Sequence, residues 1–122
     1  DDCLMLDLNK NVAETSACNI FWIKNNIVYT PKKHSILNGV TRRCIIELCL
    51  KNKINLKIND YKLKHIMKAD SVFMTGTAAE IQVVKNIEKT KYETKSQIID
   101  FLKNKYEILK KQCPYYIKEI RT

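Results

Sequence analysis

An α+β fold is the class that this sequence predicts, on three observations. Short β-branched and aromatic runs outnumber the helical patterns, the two kinds are interspersed along the chain, and no repeat, low-complexity tract or Gly/Ser linker separates them into blocks. With 122 residues, 45% of them hydrophobic, the chain can form one domain with a real core but is short for two.

Cys3 to Leu8 alternates loosely as a strand, Asn9-Lys10-Asn11 has turn composition, and Val12 to Glu14 returns as a second strand. Asn19 to Ile23 and Ile27 to Thr30 are apolar, aromatic and β-branched. Lys24-Asn25-Asn26 between them suits a hairpin turn, because asparagine tolerates positive φ. Pro31 to Gly39 reads as a loop, after which Thr41 is placed to cap a helix carrying Ile45, Leu48, Cys49 and Asn52 at helical spacing. Ile54 to Ile58 alternates as a half-buried strand, and Leu63, Ile66 and Met67 mark a short helix ending near Asp70. Ser71 to Thr75 and Ile81 to Val84 are two more strands around a small-residue turn. Thr94-Lys95-Ser96-Gln97 has capping-box spacing, opening a helix with Ile98, Leu102 and Leu109 as its apolar stripe and Pro114 as its stop.

Composition excludes several functions. Cys3, Cys18, Cys44, Cys49 and Cys113 form an odd set with no Cys-x-x-Cys pair, and His34 and His65 lack metal-site spacing. The expectation is mostly buried free thiols and no metal. The net charge of +9 invites nucleic acid, yet only Arg42, Arg43 and Arg121 are arginine, the side chain that base-reading surfaces favour. Abundant Lys, Ile and Asn read more simply as an AT-rich coding bias, so no nucleic-acid partner is expected. No run approaches the roughly 20 apolar residues of a membrane span, and the acidic start lacks the basic region of a signal peptide, which points to a cytoplasmic protein with no membrane partner.

Three blocks carry the chemistry: Glu14-Thr15-Ser16-Ala17-Cys18-Asn19-Ile20-Phe21, Gly39-Val40-Thr41-Arg42 and Gly76-Thr77-Ala78-Ala79-Glu80. A helix N-terminus such as that after Gly39 offers amides and a positive dipole to an anion. Small residues in a turn such as 76–80 let successive amides form an anion-binding nest. Arg42 and Arg43 read as solvated first-turn residues rather than anion clamps.

In this order, from about Leu4 to Val84, the blocks resemble the class IV pyridoxal-phosphate aminotransferases (fold type IV), which include branched-chain and D-amino acid aminotransferases and aminodeoxychorismate lyase. The resemblance implies part of the large C-terminal domain, a mixed sheet or pseudo-barrel with packed helices. It implies pyridoxal 5′-phosphate as cofactor and an amino acid and a 2-oxo acid as small-molecule partners. Glu14 matches the family glutamate that keeps the pyridine nitrogen protonated, so that the ring can serve as an electron sink. Val40 and Thr41 match cofactor-phosphate positions; Thr77 matches a residue that reaches phosphate and, with Ala78, the substrate α-carboxylate. Ala13, Thr15 and Cys18 fall where family members vary.

The family's Schiff-base lysine lies upstream of the first block, and its N-terminal small domain, homodimer partner and a phosphate-site arginine complete the site. On this reading the chain is a fragment without that lysine and does not transaminate alone, because Lys10, Lys24, Lys32 and Lys33 lie in polar turn and loop compositions. An isolated fragment is also expected to expose apolar strand edges and associate. Two departures stand out. Gln82-Val83-Val84 replaces the common proline, and Asn86 to Glu93 has no glycine where a Gly-rich segment is usual, so a shortened hairpin is expected there. Branched-chain amino acids are the first substrate expectation; D-amino acids and the lyase reaction, encouraged by Phe21-Trp22, follow. Readings of other classes are a non-catalytic remnant or interaction domain, without yellow cofactor absorbance, and a small basic nucleic-acid binder, whose binding would depend steeply on salt.

Overall fold

A computed structural model describes residues 2–32, 39–77 and 79–112. The chain runs β1 (Leu4–Leu6), β2 (Val12–Thr15), β3 (Asn19–Lys24), β4 (Ile27–Pro31), α1 (Val40–Lys51), β5 (Leu56–Asn59), α2 (Leu63–Met67), β6 (Ser71–Gly76), β7 (Glu80–Val84), β8 (Asn86–Ile87), β9 (Thr90–Lys91) and α3 (Gln97–Gln112). The expected α+β class is found. A five-stranded sheet of order β5-β4-β3-β6-β7 forms the centre, and only the β4/β5 pair is parallel, because α1 lies between those strands in the chain. Two short ribbons, β1/β2 and β8/β9, stand beside it.

The middle strand explains why its sequence shows no alternation. Phe21 and Ile23 of β3 point to one face, where they meet Ile45 and Cys49 of α1, Phe73 of β6, and Ile99, Leu102 and Tyr106 of α3. Ile20 and Trp22 point to the other face, where Val12, Ile66, Val72 and Tyr92 cover them. Side chains alternate along a strand, so a strand covered on both faces becomes apolar at every position. Phe21 and Phe73, directly paired in register, stack with centroids 5.0 Å apart. The β3/β4 turn uses Asn25 (φ 52°) and Asn26 (φ 62°), the left-handed pair that a tight hairpin requires. Asp70 fastens this turn by accepting from the Asn25 amide at 3.0 Å and pairing with Lys24 at 3.4 Å.

The second face carries a ring cluster of Trp22, Tyr29, Tyr61 and His65. The Trp22 indole donates to His65 Nδ1 at 2.8 Å, which requires that nitrogen unprotonated. Burial holds the His65 pKa below its ordinary 6.5. The folded state therefore prefers neutral histidine, and this contribution is fully present above pH 6.5 and is lost as pH falls through the lowered value. His65→Phe is expected to flatten the acid limb of a stability-versus-pH curve below that point. An unchanged slope would remove His65 from the acid response.

Several expectations change. Thr41 does not cap α1: the N-cap is Gly39, no side chain caps the helix, and Thr41 lies inside the first turn. The α3 cap is Ser96, whose hydroxyl accepts from the Ile99 amide at 3.3 Å; Thr94 is exposed and the Thr94/Gln97 box does not form. The buried stripe of α3 is Ile99, Leu102 and Tyr106, whereas Leu109 is exposed. Leu102 belongs to both stripes; the sheet receives Ile99 in place of Ile98, which stays at the rim, and Tyr106 in place of Leu109. Of the described cysteines, Cys49 is buried, Cys18 and Cys44 are half-buried and Cys3 is exposed, so the thiols are less buried than expected. The segment after β7 forms the short hairpin expected, turning at Glu88 with φ 52°. Most of the Pro31–Gly39 loop, with His34, and both Cys113 and Pro114 lie outside the described residues. No described helix is long and apolar enough to cross a membrane.

Candidate functional site

The three sequence blocks meet in one cleft of about 200 Å³. One wall is the β2–β3 turn, a second is the start of α1, and the third is the end of β6 with Thr77.

Strand pairing sets the first wall. Glu14, half-buried, sits opposite Met5 on β2, one residue before a turn that Thr15 closes from both sides. The Thr15 hydroxyl donates to the Cys18 carbonyl at 3.1 Å and accepts from the Cys18 amide at 2.9 Å. Outside the turn, Asp2 accepts from the Ser16 amide and hydroxyl, and those bonds, the hydroxyl foremost, hold its carboxyl down at about 2. Two glycines allow the other walls to close. A Cβ on Gly39 would lie 2.8 Å from Asn19 Oδ1, the atom that accepts from the Gly39 amide at 3.3 Å. A Cβ on Gly76 would lie 2.9 Å from Cys18 Sγ. Both positions require glycine for close approach and not for a positive φ.

Charge is distributed unevenly around the cleft. The α1 end presents a helix N-terminus with no acidic residue in its first turn and no side-chain cap, an arrangement favouring an anion. Thr41 places its hydroxyl 3.5 Å from the Gly76 carbonyl and 3.4 Å from the Tyr106 hydroxyl, so α1, β6 and α3 meet at one atom. The Thr75 hydroxyl is buried in the same wall and makes no hydrogen bond to the described residues. Such an atom carries a desolvation cost that a ligand oxygen can relieve. Glu14 is the one acidic residue among the described residues lining the cleft.

Glu14, Val40, Thr41 and Thr77 all line this cleft, while Ala78 lies outside the described residues. Arg42 departs from its reading as a solvated side chain. It is 3% exposed, and its guanidinium donates to the Pro31 carbonyl at 2.8 Å, tying the end of β4 to the start of α1; burial lowers its pKa. Arg43 is exposed, as expected. Sequence reasoning missed Asn19, Thr75 and Tyr106. The spacing of Ile99, Leu102 and Tyr106 held a signal for the last, an alternative helical stripe that shares Leu102 with the one chosen. No lysine borders the cleft among the described residues, and no described group of acidic, histidine and cysteine side chains could hold a metal.

The family model described as amino-transferase class IV matches residues 1–87. The chain is 38% identical over 109 residues to a probable branched-chain-amino-acid aminotransferase of Rickettsia bellii, across 87% of this chain and 38% of the relative. It is similar in structure to a Legionella pneumophila protein provisionally described as a 4-amino-4-deoxychorismate lyase, with TM-score 0.86, 34% identity and coverage of 88% of this chain and 41% of that one. A T.th. branched-chain amino acid aminotransferase, solved with pyridoxamine 5′-phosphate, gives TM-score 0.82 and 29% identity over 88% of this chain and 36% of that one. The chain thus spans less than half the length of each of these relatives.

Proposed function

The chain belongs to the class IV aminotransferases and carries their α+β fold, and from that premise we propose that it forms the cofactor-holding part of an enzyme moving an amino group between an amino acid and a 2-oxo acid. Convergence of the three blocks on one cleft carries this reading. The donor set suits pyridoxal 5′-phosphate: a carboxylate for the ring nitrogen, an uncapped helix start and a small-residue turn for the phosphate, and a buried threonine hydroxyl seeking a partner.

When bound, the cofactor supplies an electron sink for charge developing at the substrate Cα. Glu14 holds a proton on the pyridine nitrogen by opposing its positive charge. Val40 and Thr41 would offer first-turn amides to the phosphate and Thr77 would help hold it, while Thr77 and Ala78, by the family resemblance, would orient the substrate carboxylate. The β2–β3 turn and the glycine contacts keep this end of the cleft closely packed, which limits water around the charged groups.

On this reading the 122 residues form one portion of the large domain, and the family resemblance completes such a site with a lysine, a small domain and a second subunit. Branched-chain amino acids are the preferred substrates, supported by the names of the Rickettsia and T.th. relatives. A lyase acting on aminodeoxychorismate is the second reading, supported by the similarity to the Legionella protein.

The complete protein should bind pyridoxal phosphate with visible absorbance, yield a borohydride-reducible imine, and transfer nitrogen from leucine, isoleucine or valine to a 2-oxo acid. Transfer from D-amino acids only, or pyruvate release from aminodeoxychorismate, would reassign the substrate. Absence of the cofactor signal would remove the enzymatic reading.

A further inference from the structure

Helix α3 lies beyond the matched residues 1–87, yet it touches Thr41, which lines the cleft, and Glu80, at the start of β7. Tyr106 is 4% exposed and meets the Thr41 hydroxyl at 3.4 Å. That hydroxyl has one proton and two lone pairs, and its second neighbour, the Gly76 carbonyl at 3.5 Å, can only accept. Both separations exceed the roughly 2.7–2.8 Å of a well-formed hydroxyl bond. Either oxygen of the 3.4 Å pair can donate, so the Thr41 hydroxyl can turn its proton towards a cleft anion while its own oxygen accepts from the phenol.

One turn farther along α3, Lys110 contacts Glu80 at 2.5 Å and Glu107 at 2.8 Å, with its ammonium 5.4 Å from the Tyr106 ring centroid. Glu80, the first residue of β7, has φ 56°, a left-handed conformation that residues with a Cβ adopt at a cost. The Lys110 bond holds the side chain of a residue whose backbone resists that geometry.

We propose that Tyr106 and Lys110 are positioning residues for the phosphate end of the cleft, Tyr106 by donating to Thr41 so that the threonine proton serves the anion, and Lys110 by fixing the Glu80 end of the opposite turn. The inference rests on the pyridoxal-phosphate reading above. A donor chain from phenol to threonine to phosphate is polarised cooperatively, and its loss is felt by the phosphate alone.

The test titrates the complete protein with pyridoxal 5′-phosphate and with pyridoxal, which lacks the phosphate. Tyr106→Phe is expected to weaken binding of the phosphate ester by about three- to tenfold and leave pyridoxal unchanged. Adding Tyr106→Phe to a Thr41→Val protein should then produce no further loss. Lys110→Met should weaken the ester alone by about threefold, with Lys110→Arg restoring it. Equal weakening of both compounds, or ester affinity unchanged in both variants, overturns the positioning role while the function reading stands. A parent protein that binds neither compound overturns both. Should Tyr106→Phe fail to fold, the lysine pair decides by the same selectivity.

Discussion

Replacing Glu14 by glutamine in the complete protein is expected to leave pyridoxal phosphate bound and to slow amino transfer by on the order of 10²–10³-fold, the scale of one lost electrostatic partner at a reacting centre. Glutamine keeps the shape of glutamate and loses its charge. The segments proposed to hold the phosphate, at the start of α1 and after β6, are untouched, so affinity should change far less than turnover. The proton on the pyridine nitrogen loses the anion that favours it, and the step needing electron withdrawal from Cα slows. Single-turnover absorbance changes with an amino acid donor, run beside an equilibrium cofactor titration, separate the two effects. Turnover equal to the parent would take Glu14 out of the proposed role; loss of cofactor with turnover would make it a binding residue instead.

Phe21→Ala is expected to destabilise the fold by about 3–5 kcal/mol, as for deletion of a fully buried phenyl ring. Phe21 is 0% exposed on the central strand and stacks on Phe73, also 0% exposed, so its removal leaves a cavity between the sheet and the α1/α3 layer. The same strand leads from Asn19, which holds Gly39 at the start of α1, so loosening β3 reaches the cleft through the backbone. Chemical denaturation of the complete protein, with and without cofactor, measures the cost. A change below about 1 kcal/mol would show that the ring pair is not a principal support of the core.

Local rules were legible wherever local chemistry decides. Asn25 and Asn26 take the left-handed turn because their side chains tolerate it, and β3 and β4 follow on either side. The short helix before Asp70 was readable from the spacing of Leu63, Ile66 and Met67, whereas the small hairpin after β7 was expected from the departure from the family's Gly-rich segment. Arg42 was not. In sequence it is a charged first-turn residue beside Arg43, and only the return of β4 beneath α1 brings the Pro31 carbonyl within 2.8 Å of its guanidinium. The α3 stripe failed likewise: Ile98 and Ile99 are adjacent and equally apolar, and packing against the sheet chose the second.

The sequence by itself determined the α+β class, the order of strands and helices, and the three blocks whose residue types suit an acid near a ring nitrogen and two cradles for an anion. Those depend on turn chemistry, period and backbone permissiveness, all properties of near neighbours. Only the tertiary structure decided that Glu14, Thr41 and Thr77 border the same cleft, and that Tyr106, 65 residues from Thr41 in the chain, stands behind it. Sheet order β4-β3-β6 brings the ends of distant strands together, and that pairing is governed by burial of both faces of β3, which no single segment encodes.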